Sequence, residues 1–146
     1  MIKLVRQFLF PLSLVAVAVL YGCSTTLRAV VTDNAGQRRE ISHVTTDRGS
    51  VIEVLDGPAF RKIPLKQIQN LLIRNSATAS RDGELYYATE IWLTDSTKVL
   101  SYLMPNGQRT EAYVNVTASV VGKTPAGTFS IPLKDVRQLK ISKGKN

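Results

Sequence analysis

The stretch Ile63–Ile73, IPLKQIQNLLI, recurs later in the chain as Ile131–Ile141, IPLKDVRQLKI. Six of the 11 aligned positions are identical. A second similarity lies upstream of the motif in each half: Val30–Asp33 (VVTD) resembles Trp92–Asp95 (WLTD). Self-similarity at a fixed spacing is typical of repeated structural units. The sequence therefore predicts a chain built from two related halves, the second of which has the longer internal loop.

Each half has the pattern of strands separated by turns. From Glu111 to Val121 apolar and polar residues alternate strictly, which is typical of a half-buried strand. Turn signals such as Asn34-Ala35-Gly36 punctuate these runs. After residue 22 no helical stripe is longer than about two turns. Within the repeat, proline opens a single helical turn between two short strands.

The order predicted for each half is four strands, a short helical turn and a fifth strand. This pattern resembles the small five-stranded barrels of the Sm-like and SH3-like families, and the resemblance implies an all-β fold without implying any functional residue. We expect two tandem barrel-like lobes, a first β lobe at 27–74 and a second at 85–146 with a basic tail. Residues 75–84, small and polar without apolar periodicity, are predicted to be the linker. The alternative is a single antiparallel β-sandwich or roll.

The first 22 residues have the pattern of a secretory signal peptide. Lys3 and Arg6 make a basic start, and an apolar run follows at 8–20. This run of 13 residues is shorter than the roughly 20 that a membrane-spanning helix needs. We therefore expect a signal helix that is removed, with an uncleaved membrane anchor as the alternative.

The signal ends in Leu20-Tyr21-Gly22-Cys23, which resembles the lipobox of bacterial lipoproteins. In that family the Cys becomes the new N-terminus and carries a diacylglyceryl group and usually an N-acyl chain. The resemblance implies peptidase recognition through Leu20, Tyr21 and Gly22, lipid attachment at Cys23, and a lipidated tether at 23–26. Because Ser24 stands where Asp suggests inner-membrane retention, the resemblance implies the outer membrane, facing the periplasm, in a Gram-negative source.

Composition excludes several kinds of site. One Cys among 146 residues rules out a disulfide framework and a multi-cysteine zinc site. No phosphate-binding loop, dinucleotide motif or metal-ligand spacing occurs, so we expect no cofactor and no metal. The net charge of +8 falls to +6 once Lys3 and Arg6 leave with the signal. For an exported protein this charge favours anionic lipid headgroups over nucleic acid; the candidate contacts are Lys140, Lys143 and Lys145.

The candidates for catalysis are few. His43 is the single histidine, and a general base needs a nucleophile and an orienting acid nearby. Ser42 is adjacent, but neighbours on a strand face opposite ways, so we do not expect the two to meet. Asp33 and Asp95 recur at strand ends, where aspartate caps turns by accepting backbone N–H bonds. The sequence therefore predicts no catalytic residue.

These observations favour a non-enzymatic, lipid-anchored module of the cell envelope that binds or scaffolds a protein or peptide partner. Small β-barrels take up extended peptides by strand addition at exposed edges. Two alternatives stay open: a cell-wall-binding module, and an envelope hydrolase that uses His43 with a Ser or an Asp.

Overall fold

A computed structural model describes residues 26–96, 98–99, 101–103, 105–106 and 109–144 of the chain. The described part is all-β, as predicted, with two short 3-10 turns at Leu65–Gln67 and Leu133–Asp135. The strands are β1 Leu27–Asp33, β2 Arg38–Thr46, β3 Val51–Asp56, β4 Ala59–Pro64, β5 Ile68–Arg81, β6 Glu84–Leu93, β7 Lys98–Val99, β8 Ser101–Leu103, β9 Arg109–Asn115, β10 Ser119–Thr124, β11 Gly127–Pro132 and β12 Val136–Lys143.

Ten of these strands form one antiparallel sheet in the order β11-β10-β2-β1-β12-β5-β6-β9-β3-β4. The short strands β7 and β8 pair with β6 and β9 beside this path. If each strand is replaced by its counterpart in the other half of the chain, the strand order read from β11 is the same as the order read from β4. The sheet therefore has a pseudo-twofold axis between β12 and β5, which confirms the duplication.

The two halves of the chain are interleaved. Lobe I, as we name it, consists of β1 and β2 from the first half and β10, β11 and β12 from the second. Lobe II consists of β3, β4 and β5 from the first half and β6 and β9 from the second. The predicted boundaries, 27–74 and 85–146, therefore do not delimit the five-stranded groups. Periodicity identifies a strand but not its partner, so the sequence could not distinguish exchanged strands from consecutive ones.

The two halves of the chain match most closely in the strands that lead to the repeated Ile-Pro-Leu-Lys motif. Every residue pair between β3 and β4 has its counterpart 68 positions later between β10 and β11, from Val51 opposite Pro64 to Asp56 opposite Ala59. The turn that follows is also duplicated, because the Leu65 N–H donates to the Ser50 carbonyl at 3.0 Å and the Leu133 N–H to the Ala118 carbonyl at 2.9 Å. The prolines open the 3-10 turns with φ near −60°, as expected.

The structure aligns the upstream similarity, Val30–Asp33 with Trp92–Asp95, differently from the sequence prediction. Thr32 lies opposite Gln138, and Trp92 lies opposite Asn70. Gln138 and Asn70 are equivalent in the repeat, so Thr32 corresponds to Trp92 and not to Thr94. The backbone register decides this equivalence, whereas the shared Thr-Asp letters reflect turn chemistry at two strand ends. The second half is the longer one, as predicted, and its extra residues include β7 and β8.

The predicted linker at 75–84 is the end of a hairpin. β5 continues to Arg81, the turn lies at Asp82-Gly83, and β6 begins at Glu84. The pairing register shifts between Arg74 and Thr78, so this part of the hairpin is irregular. Backbone pairing needs no apolar periodicity, which is why small polar residues can form a strand here.

The alternating stretch from Glu111 to Val121 is not a single strand. β9 ends at Asn115 in lobe II, and β10 begins at Ser119 in lobe I. The side chains of Ala112, Val114, Val116, Ala118 and Val120 are all buried, so the alternation continues through the crossing. One hydrophobic cluster contains buried residues from both lobes. The domain therefore folds around a shared core.

Candidate functional site

The predicted anchor residues Leu20, Tyr21, Gly22 and Cys23 lie outside the described residues. The first described residue, Thr26, accepts a hydrogen bond through its carbonyl from the Gly144 N–H at 2.7 Å. The start of the domain is therefore fixed beside the end of β12. In the described part of the chain, no helix is long and apolar enough to cross a membrane.

Two of the three predicted membrane-contact lysines lie near this end of the domain. Lys143 is opposite Leu27 at the beginning of β1, and Lys140 is opposite Val30. Both lysines are exposed, and Lys145 lies outside the described residues. Because Lys140 and Lys143 are three positions apart, they point to opposite faces of the strand. A flat surface that contacts both must therefore approach the strand end and not a sheet face.

A groove of about 510 Å³ lies at the same end of lobe I. Residues of β1 and β2 form one wall, and the β10–β11 turn forms the other. The two walls separate because β2 contains an irregularity where its register with β10 shifts between Val121 and Lys123. Arg28 and Lys123 bring positive charge into this groove, and Glu40 brings one negative charge.

The sheet ends at two open edge strands. Among the described residues β4 pairs only with β3, and β11 pairs only with β10. An edge strand of this kind presents unpaired backbone N–H and C=O groups to any extended chain that approaches it. Much of each strand is exposed, including Phe60, Arg61 and Lys62 on β4.

Each edge strand has an aromatic ring beside an arginine and a small cavity next to it. On β4 the Phe60 ring lies 5.7 Å from the Arg81 guanidinium, and a cavity of about 180 Å³ adjoins them. On β11 the Phe129 ring lies 5.6 Å from the Arg39 guanidinium, beside a cavity of about 200 Å³. An open strand with adjacent side-chain pockets is the arrangement by which sheets recognise extended peptides.

The cavity beside β4 adjoins a polar cluster of Glu53, Glu84, Asn115 and Arg48. The Arg48 guanidinium lies 2.8 Å from Glu84 Oε1 and 3.9 Å from Glu53 Oε1. The Asn115 amide, 1% exposed, donates to Glu53 Oε2 at 3.2 Å and to Glu84 Oε2. Asn115 Oδ1 in turn accepts from the Thr117 N–H at 2.9 Å. Two carboxylates from different strands are thereby held side by side.

These contacts change how the cluster titrates. The hydrogen bond from Arg48 lowers the pKa of Glu84, and the bond from Asn115 acts in the same direction. The same contact raises the pKa of Arg48. Burial raises the pKa of the neighbouring Tyr86 hydroxyl, and the charge of Glu84 adds to this effect. Both pKa shifts keep Glu84 ionised beside a neutral Tyr86 phenol at neutral pH.

The structure places His43 next to Ser42, contrary to the sequence prediction. His43 Nδ1 lies 3.2 Å from Ser42 Oγ. The two side chains meet because His43 has a φ of 52°, at the point where β2 is irregular, so the normal alternation fails. Among the described residues no hydrogen bond joins either ring nitrogen to a carboxylate, the group that orients the histidine of a catalytic triad.

Asp33 occupies the turn position predicted for it. Its Oδ1 accepts from the backbone N–H groups of Ala35 and Gln37, both at 2.9 Å. Asp95 lies in the turn after β6. No group of three or more potential metal ligands occurs within the described ranges.

Sequence reasoning missed the cluster beside β4. Its members are far apart in the chain, on the β2–β3 turn, β3, β6 and β9, and no motif links them. One signal was available in the repeat, because Glu53 corresponds to the apolar Val121, 68 positions later. The two copies therefore carry different residue types at this position.

We compared the chain with known proteins. No protein-family model matches it, and no curated protein is significantly similar to it. The residues and their geometry are therefore the basis for the functional proposal.

Proposed function

We propose that the chain is an exported lipoprotein of the bacterial envelope, anchored through acylated Cys23, whose β domain binds a protein or peptide partner without chemical conversion. The lipobox pattern at residues 20–23 supports the anchor. In a Gram-negative cell the proposed location is the outer membrane, facing the periplasm. The open edge strands support the binding role.

The anchor constrains how the domain meets the membrane. From Cys23 to Thr26 there are three residue steps, which span about 10 Å when fully extended. The end of the domain that contains Thr26, Gly144 and Lys143 therefore lies against the lipid headgroups. Each basic residue near an anionic surface contributes about 1 kcal/mol, so Lys140, Lys143 and Lys145 favour this orientation.

The anchor has a direct chemical test. The mass of the N-terminal peptide of the protein purified from membranes is expected to correspond to a chain that begins at Cys23 and carries a diacylglyceryl group with an additional acyl chain. Two or three acyl chains make such attachment nearly permanent. An unmodified chain that begins at Met1 would show that the protein is not a lipoprotein.

The binding role depends on one observation, namely that the sheet ends in the open strands β4 and β11, each beside a cavity. Main-chain hydrogen bonds from an added strand supply affinity, and side chains that enter an adjacent pocket supply specificity. A membrane-held module with such edges can capture an extended segment of another envelope component. No covalent step is needed for this function.

Site-specific crosslinking in living cells tests the binding role. A photoreactive amino acid is placed at Lys62 on β4, at Ser130 on β11, and as a matched control at Gln69; all three native residues are exposed. Gln69 is on β5, whose two sides are already paired with β12 and β6. We expect polypeptide crosslinks from one or both edge positions and not from the control. Crosslinks from Gln69 alone, or none from either edge, would contradict strand addition.

A further inference from the structure

The edge strand β4 differs from its counterpart β11 in the cavity beside it. This cavity, about 180 Å³, is lined by Glu53, Phe60, Arg81, Asp82, Glu84 and Tyr86. It is smaller than the roughly 300–1,000 Å³ of typical small-molecule pockets. Its size fits one long side chain of an extended peptide.

The charges around this cavity favour a cationic group. Three carboxylates adjoin it, and two arginines offset them. Arg48 contacts Glu84 and Glu53 from one side, and Arg81 lies 3.8 Å from Asp82. Among these five groups one negative charge is left over; Lys62, which lies opposite Glu53 on β4, is exposed to solvent and does not line the cavity. A ligand with one positive charge would neutralise the remaining negative charge.

Phe60 adds an aromatic face to the same place. Its side chain is 43% exposed, which makes it one of two large apolar side chains exposed in the described part of the chain, the other being Leu85. Its ring already lies beside one cation, the Arg81 guanidinium, at 5.7 Å. An aromatic face attracts an ammonium or guanidinium group, and a nearby carboxylate strengthens the attraction.

The duplication shows that the fold does not require this arrangement. At the positions 68 residues later, Glu53 corresponds to Val121 and Phe60 to Thr128, in the same backbone register. The same strand pair therefore forms without the carboxylate and without a ring at this position. The Glu53 carboxylate is particular to lobe II, whereas lobe I has its edge ring one position later, at Phe129 beside Arg39.

We propose that the β4 edge binds an extended peptide segment whose lysine or arginine side chain enters the cavity between Phe60 and the carboxylates of Glu53 and Glu84. The inference rests on the proposed function, because it names the class of partner that one of the two edges selects. Residues alternate in direction along an added strand, so one side chain in two faces the cavity. The partner is therefore a basic segment in an extended conformation.

Peptide binding to the purified lipidated protein in detergent micelles tests this inference. The probes are fluorescent nine-residue peptides of alternating Thr and Val, with Lys, Arg, norleucine or Glu at the centre, and the readout is fluorescence anisotropy. Norleucine keeps the aliphatic chain of lysine and removes its charge. We expect the Lys and Arg peptides to bind about 10-fold more tightly than the norleucine peptide, and the Glu peptide to bind most weakly.

Variants assign the preference to this cavity. In Glu53→Gln/Glu84→Gln the ratio of Lys to norleucine affinity is expected to fall to about 1–2. Phe60→Thr reproduces the residue of the other half at an exposed position and is expected to lower affinity for the Lys peptide about threefold. Asp135→Asn, which changes an exposed carboxylate in the second 3-10 turn that lines neither edge cavity, is the matched control and leaves the ratio unchanged. Circular dichroism verifies the fold of each variant.

The outcomes separate this inference from the proposed function. Equal affinity for the Lys and norleucine peptides, or a ratio that survives Glu53→Gln/Glu84→Gln, would overturn the cation site while leaving strand addition in place. Binding of no peptide at all would overturn both proposals. If Phe60→Thr alone left binding of the Lys peptide unchanged in a folded protein, the assignment of the site to the β4 edge would be wrong.

Discussion

Leu71 on β5 lies directly opposite Leu139 on β12, and each is the equivalent of the other in the duplicated sequence. Both side chains are fully buried. Beside them the Gln138 side-chain amide donates to Asn70 Oδ1 at 3.1 Å, again between equivalent positions. The two halves of the chain therefore meet at a pseudo-twofold axis, and each half completes the lobe that the other begins.

Shortening the buried side chains at this axis is expected to destabilise the whole domain. Leu71→Ala and Leu139→Ala should each lower the free energy of unfolding by about 2–5 kcal/mol, the range for a buried leucine. Because the two side chains are direct neighbours, the double variant should depart from additivity by about 0.5 kcal/mol or more. Urea unfolding measures all three values. Strict additivity would contradict direct packing at the axis.

Interleaving predicts that neither half folds alone. The turn at Asp82-Gly83 is exposed and joins β5 to β6, so division there yields 23–82 and 83–146 without cutting a strand. Each fragment lacks strands of both lobes and is expected to be largely unfolded, whereas the mixture should regain β structure and unfold in one cooperative transition. Circular dichroism with urea titration measures this. Independent cooperative unfolding of each fragment would instead indicate two consecutive lobes.

Gly122 is predicted to be intolerant of a side chain. A Cβ at this position would lie 2.9 Å from Ile41 Cδ1 and 3.0 Å from the Ser42 carbonyl oxygen. Gly122→Ala should therefore lower the free energy of unfolding by about 1–3 kcal/mol, the cost of overpacking. Ile41→Val removes the contacting methyl group, so the double variant should lose less stability than the two single changes added together. Full additivity would show that the clash lies with Ile41 Cβ and the Ser42 backbone, which Ile41→Val leaves in place.

The cluster beside β4 predicts a loss of stability in acid. The folded-state pKa of Glu84 is lowered by Arg48 and Asn115, so between its folded and unfolded pKa values the unfolded chain binds more protons. The stabilisation is fully present above the ordinary glutamate pKa of about 4.3 and is lost as the pH falls through the folded value. As the pH is lowered below about 4.5, the urea concentration at the midpoint of unfolding should therefore decrease for the wild-type protein. In Glu84→Gln this decrease should be smaller. An identical pH profile in both proteins would contradict the contact.

The orientation at the membrane can be tested without the acyl chains. In a 23–146 chain with Cys23→Ser, Lys143→Gln should weaken binding to vesicles that contain anionic lipid at low salt by about fivefold, which corresponds to 1 kcal/mol per lysine. Lys134→Gln is the matched control, since Lys134 is an exposed lysine in the second 3-10 turn, beside Asn34 at the end of β1 that is remote from the anchor. Equal effects of the two changes would show that net charge, and not orientation, governs binding.

The elements of the fold could be predicted from local sequence, but their assembly could not. Pro64 and Pro132 identify the duplicated 3-10 turns, and alternation identifies the strands. Yet the alternating run through Val116 crosses from one lobe to the other without any break in its pattern. Consecutive and exchanged strands bury the same residues in the same register, so the hydrophobic pattern contains no information about which copy supplies the partner.

The candidate site was even less accessible to sequence reasoning. His43 and Ser42 meet because of an irregular backbone position that has no sequence signature. Arg48, Glu53, Glu84 and Asn115 come together only through tertiary pairing of β3, β6 and β9. Asp33, by contrast, acts locally, and local chemistry predicted its turn role correctly.

The central claim is that the open edges of this anchored domain bind an extended partner, and amide hydrogen exchange tests it most directly. Exchange of β4 and β11 is measured by mass spectrometry for the lipidated protein in native envelope and for the same protein purified in micelles. An added strand forms hydrogen bonds with the outer backbone groups of an edge, so at least one edge should exchange more slowly in the envelope, while β5, paired on both sides, should not change. Equal exchange of β4 and β11 in the two preparations would contradict the claim.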